Sequence, residues 1–84
     1  MDPSDRPGRT RDVRRYLAKH GIRDVCLLKG PGYFYFDGKP TEDWVHHTVD
    51  VSFLGDLTFD EWLRTDRAMD ENPANRKSIR ARNR

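Results

Sequence analysis

The 84-residue chain has one cysteine, Cys26, and therefore no internal disulfide. A lone thiol gives no sign of an oxidising compartment, and inside the apolar run VCLL it reads as a core thiol rather than a nucleophile. No apolar stretch approaches the ~20 residues that span a membrane, and the opening MDPSDRPGRT has no secretory apolar region. A soluble cytoplasmic protein is expected. No phosphate loop, dinucleotide fingerprint or nucleophile elbow occurs. His46-His47 is the one histidine cluster; neighbours in an extended chain point apart, so they make no ready chelate. Asp60-Glu61 fit the acid-favouring first turn of a helix, and no spacing among the remaining acids singles out a general acid/base pair. The chain is expected to bind rather than catalyse, with no metal and no cofactor.

Small size points the same way. Short chains bury a smaller share of their surface. About twenty residues qualify as core, each worth roughly 1.5–3 kcal/mol when buried. Ordering each residue costs roughly 1–2 kcal/mol in backbone entropy. That thin margin suits a binding surface better than a buried polar active site.

Charge is plentiful but segregated. A formal net charge of +2 conceals basic ends around an acidic middle. Residues 1–29 carry eight Lys/Arg and four Asp, residues 30–72 three basic and ten acidic side chains, and residues 73–84 five cations and no acid. Such a chain does not act as a uniformly basic protein.

Along the chain, residues 1–9 carry Pro3, Pro7 and Gly8 among charges and read as a flexible lead-in. Thr10 is a plausible N-cap for a helix over 10–20, with Asp12 near its positive end. Val13, Tyr16, Leu17 and His20 share one face. Arg11, Arg15 and Lys19 recur on the other, and Gly21 can end the helix. IRDVCLLK, then Gly30-Pro31-Gly32, then YFYF, read as a β-hairpin. Trp44 is expected to cover a core edge. TVDVSFL, residues 48–54, alternates as a strand with Val49, Val51 and Phe53 inward. In LTFDEW, Thr58 and Glu61 form a capping box, and Leu57 and Trp62 a hydrophobic staple. Asn72-Pro73 stops that helix, and residues 73–84 read as a basic disordered tail. The expected fold is a single α+β domain over 10–72: a three-stranded antiparallel sheet with two helices on one face, in the order α-β-β-β-α.

KGPGYFYF, residues 29–36, resembles the aromatic RNP1 strand of RNA-recognition domains at Lys29, Gly30, Gly32, Tyr33 and Phe36. Pro31 stands where that motif places a stacking aromatic, and only MDPSDRPGR precedes the first helix, where a companion strand belongs. The match is read as fortuitous. Alternation in YFYF sends Phe34 and Phe36 to one face and Tyr33 and Tyr35 to the other. Two tyrosines on an open sheet face serve equally as cross-strand packing or as a contact surface.

With KGPGYFYFDG, Trp44, TVDV and LTFDEW in view, the chain resembles a recurring type of small protein encoded by bacteria, their phages and plasmids. The shared pattern is K-G-x-G-Y-[FWY]-Y-F-x-G-G, a Trp-containing loop, T-V-x-V and L-T-x-[DE]-[EQ]-W. It covers about residues 13–70, and Lys39 departs from its second glycine. The resemblance implies a shared fold and a mobile-element setting, and brings no catalytic residues to carry over. By class analogy, such short reading frames encode inhibitors of host defence, anti-CRISPR proteins among them.

Two functions are therefore expected to compete. In the first, Tyr33 and Tyr35, with Asp37, Glu42, Asp43 and Asp50 around them, dock on a host protein, a nucleic-acid-processing or defence complex. In the second, Arg11, Arg14, Arg15 and Lys19 form a helical stripe that binds nucleic acid, aided by Arg76, Lys77, Arg80, Arg82 and Arg84. The chain is expected to be a monomer or a weak dimer through a sheet edge.

Overall fold

Pro31 and Gly32 reverse the chain where the sequence places its sharpest turn. In the computed structural model, which describes residues 2–77, Gly32 has φ 81°, and proline followed by a positive-φ glycine is the type II combination. The turn joins β1 (Val25–Gly30) to β2 (Tyr33–Gly38), paired antiparallel from Val25↔Gly38 to Gly30↔Tyr33. KGPGYFYF is thus a strand end, a turn and a new strand, not one RNP1-like strand. β3 (Thr48–Val49) adds antiparallel to β2, giving the order β1-β2-β3. Helices α1 (Thr10–Lys19) and α2 (Phe59–Glu71) flank the strands in sequence, so the fold is the expected small α+β domain with order α-β-β-β-α.

Both helices cover one sheet face. Val13, Tyr16 and Leu17 from α1 meet Val25, Leu27, Phe34 and Phe36 from the strands, and Phe59, Trp62 and Leu63 from α2. Trp62 is completely buried and stands edge-on to Phe34 and Phe36, with ring centroids 5.8 and 6.1 Å apart. Trp44 closes the core edge against Phe36 at 6.0 Å.

The capping box forms as expected. Glu61 N–H donates to Thr58 Oγ1 at 3.2 Å, and Thr58 N–H donates to Glu61 Oε1 at 2.9 Å. Thr10 is not the N-cap of α1: Arg9 occupies that position, extended at φ −141°, and its side chain makes no cap bond. Nor do residues 2–9 simply lead in. The Asp5 and Pro3 carbonyls accept from Phe59 and Asp60 N–H at 2.9 and 3.0 Å, satisfying amides that a helix start leaves without partners. Pro7 is buried, and Arg6 Nη1 donates to the Gly55 carbonyl at 2.6 Å.

The third strand is shorter than alternation implied. It leaves the ladder after Val49, and Val51 N–H turns back to the Val49 carbonyl at 2.9 Å. Val49 and Val51 pack against the core, but Phe53 is 70% exposed. The cause lies downstream. The Leu54–Asp56 3-10 turn offers its Leu54 carbonyl to the buried Trp62 Nε1–H at 3.0 Å. Asp56 accepts from Phe53 N–H at 3.2 Å. A buried indole N–H needs a partner, and meeting that need draws the chain out of the sheet.

Residues 73–76 also depart from the expected tail. Asn75 is buried at 5% exposure. Its Oδ1 accepts from His46 N–H at 2.6 Å, while Nδ2 donates to the His46 and Met69 carbonyls at 3.2 and 3.1 Å. Trp44 and Arg76 pair as an isolated β-bridge. A short clasp therefore ties the Trp44 loop to the end of α2. Replacing Asn75 with Ala is expected to cost about 1–3 kcal/mol in urea unfolding, because buried backbone groups lose their partners. A chain ending at Asn72 should lose at least as much as the Ala variant.

Candidate functional site

The β1–β2 register composes the surface opposite the helices. Cys26 lies across from Asp37, Leu28 from Tyr35 and Gly30 from Tyr33; Thr48 of β3 flanks Tyr35 on the other side. None of these side chains is buried. The Tyr33 and Tyr35 rings are half-exposed, 6.1 Å apart and tilted by 47°. Tyr33 leans across Gly30: a Cβ there would come within 2.5 Å of the ring. A ring laid over a cross-strand glycine covers backbone that would otherwise lack a side chain. Leu28 extends the apolar area beside Tyr35 with 38% exposure. Sequence reasoning missed Leu28 and Gly30. Their signal was the register opposite the tyrosines, countable from a two-residue turn.

The predicted acids sit at different distances along the fold from this face. Asp37 shares it, exposed at the end of β2. Glu42 is exposed and Asp43 half-buried on the 3-10 turn Lys39–Asp43, which begins where β2 ends. Asp50 is exposed just beyond β3. Only Asp37 is thus aligned with the tyrosines by strand register.

Among the predicted cations, Arg11, Arg14, Arg15 and Lys19 are all exposed on α1. Arg11 and Arg14 border a shallow hollow shared with Cys26 and Leu28, which brings the basic stripe to the β1 side of the tyrosine face. Arg76 is otherwise engaged: Nη2 lies 3.0 Å from Asp70 Oδ1, and Nε donates to the Asp70 carbonyl at 2.9 Å. Lys77 is exposed. Arg80, Arg82 and Arg84 lie outside the described residues.

His46 and His47 do not converge. His46 is exposed, while both His47 ring nitrogens face carbonyl oxygens, those of Phe36 and Trp44, each at 3.2 Å. His47 thereby ties the chain just before β3 to β2 and to the Trp44 loop, alongside the Phe36 N–H bond to the His47 carbonyl. Among the described residues no group of three or more His, Cys, Asp and Glu side chains gathers. No helix among them is long and apolar enough to cross a membrane.

The electrostatic outlier is Asp66, inside α2. It is 3% exposed, and among the described residues its Oδ2 has no hydrogen-bond partner. Burial, reinforced by the nearby Asp70 carboxylate and opposed by Arg67, pushes its pKa up to about 6. Glu61 shows the contrary case: its bond from Thr58 N–H lowers its pKa. No family model, curated protein or solved structure matches the chain.

The Asp66 shift has a definite sign. Native Asp66 holds its proton up to about pH 6, while the unfolded group releases it near the ordinary value of 3.8. The native state binds more protons across that window, so stability falls as pH rises through it. The loss is on the order of 2 kcal/mol, allowing for water reaching the side chain. Asp66→Asn is accordingly expected to raise the thermal midpoint by several degrees at pH 7.5 and leave it nearly unchanged at pH 4, as checked by circular dichroism melts.

Proposed function

We propose that this protein is a non-catalytic binding module that docks on a host protein handling nucleic acid, and inhibits or adapts it. One observation carries the reading: the Tyr33–Tyr35 pair on a sheet face that no helix among the described residues covers, with Leu28 beside it. Tyrosine brings a large apolar ring and a polar tip to an interface, and its two side-chain torsions lose little entropy on docking. The rings already pack on each other and on Gly30, which reduces the ordering still to be done on binding. Asp37, Glu42 and Asp50 surround the sheet with exposed negative charge, suited to steering toward the basic channel of a nucleic-acid enzyme. The resemblance of KGPGYFYFDG and LTFDEW to proteins of phages and plasmids supports a mobile-element setting, with anti-CRISPR or other anti-defence inhibition as the class of activity.

Direct nucleic-acid binding is the second reading, favoured by the approach of Arg11 and Arg14 to the tyrosine face. With Arg15 and Lys19 they present four exposed cations on α1, and binding of this kind weakens steeply as salt rises.

Gly30→Ala separates docking from folding. The added Cβ meets only the outer ring atoms of a half-exposed tyrosine, so Tyr33 swings aside at little cost to stability. Affinity capture from host extract, with and without nuclease, is expected to retain one nuclease-resistant protein on the wild type. At least about tenfold less should remain on Gly30→Ala and on Tyr35→Ala. Equal capture by all three chains would remove the tyrosine face from the interface. A catch that disappears with nuclease, and weakens in Arg11→Gln/Arg14→Gln, would replace the first reading with the second.

A further inference from the structure

Asp66 raises a question that neither reading answers. A buried carboxylate oxygen without a partner carries the full cost of lost hydration, and in native proteins such groups are few. Asp66 lines a cleft of about 320 Å³ between the C-terminal half of α2, the α1–β1 connection and the Lys39–Asp43 turn. Ile22, Val25, Pro40 and Trp44 give that cleft apolar walls. Asp70, one turn further along α2, lines it too, with its Oδ1 already held by Trp44 Nε1–H at 3.2 Å and by Arg76. The cleft therefore combines apolar walls with a carboxylate whose Oδ2 has no hydrogen-bond partner among the described residues.

We propose that this cleft binds an alkylammonium group, its methylene chain against Ile22 and Trp44 and its cationic head beside Asp66. A carboxylate shielded from bulk water attracts a cation more strongly than an exposed one. Burial and the Asp70 charge disfavour ionised Asp66, and a bound cation would offset both. A hard divalent ion suits the site poorly. Such ions take six or more oxygens, whereas among the described residues no group of three or more ligand side chains gathers. Arg23, Arg67 and Glu71 also line the cleft. Neither arginine pairs with Asp66, so their charges oppose the guest, and the affinity is modest.

The test uses the full chain and n-butylammonium chloride, followed at the Trp44 indole N–H and the Asp66 amide by two-dimensional NMR. Saturable shifts are expected at pH 7.5, weaker at pH 5, where Asp66 holds its proton. n-Butanol and sodium chloride should give none. Asp66→Asn, which keeps the shape and removes the charge, should weaken the response at least about tenfold. Arg23→Gln, at an exposed position, should strengthen it. N-acetyl-lysine methylamide and 1,4-diaminobutane tell a protein side chain from a free polyamine as the natural source. Shifts equal with butanol or in Asp66→Asn overturn the proposal, as does silence toward all three amines.

Discussion

Trp62 is the contact on which the architecture depends. Its ring, wholly buried, is edge-on to both inward phenylalanines of β2, so it joins α2 directly to the sheet's central strand. Edge-to-face aromatic pairs add about 0.5–1.5 kcal/mol each beyond the area they bury. The capping box places Trp62 at the fourth helical position, and the Asp5 and Pro3 carbonyls hold the amides of the first turn. A residue at the centre of the core is thus oriented by hydrogen bonds at the periphery.

The same indole shapes the chain that precedes it. Its N–H takes the Leu54 carbonyl, and the backbone from Asp50 to Asp56 leaves the sheet to supply it. Trp44 poses an equal demand at the other edge, answered by Asp70, which in turn holds Arg76. Two tryptophans therefore determine where the third strand ends and where the chain after α2 lies. Asn75 completes that clasp by bonding His46 from both ends of its amide.

With the helices and their loops occupied on one side, no described element covers the tyrosine face on the other. Nothing about the core requires phenols there. Asp66 is a second feature without a folding rationale, since a buried carboxylate oxygen without a partner among the described residues weakens the native state. Residues that a fold does not need are the natural places to look for what it binds.

Local patterns were enough for the helices, the hairpin, the capping box and the division of YFYF into two faces, because each rests on neighbours within about four residues. The chain's short range also marked Tyr33 and Tyr35 as outward. It could not show that Phe53 would abandon its alternating pattern, since the reason is an indole nine residues later. Nor could it show that residues 2–9 and 73–76 would pack down: their polar, proline-bearing composition reads as loop until the α2 amides and His46 are brought within reach. Sequence alone determined which side chains face together along each element. Only the tertiary structure decided which polar groups find partners across elements, because a buried N–H or carboxylate is satisfied by whatever the fold places beside it.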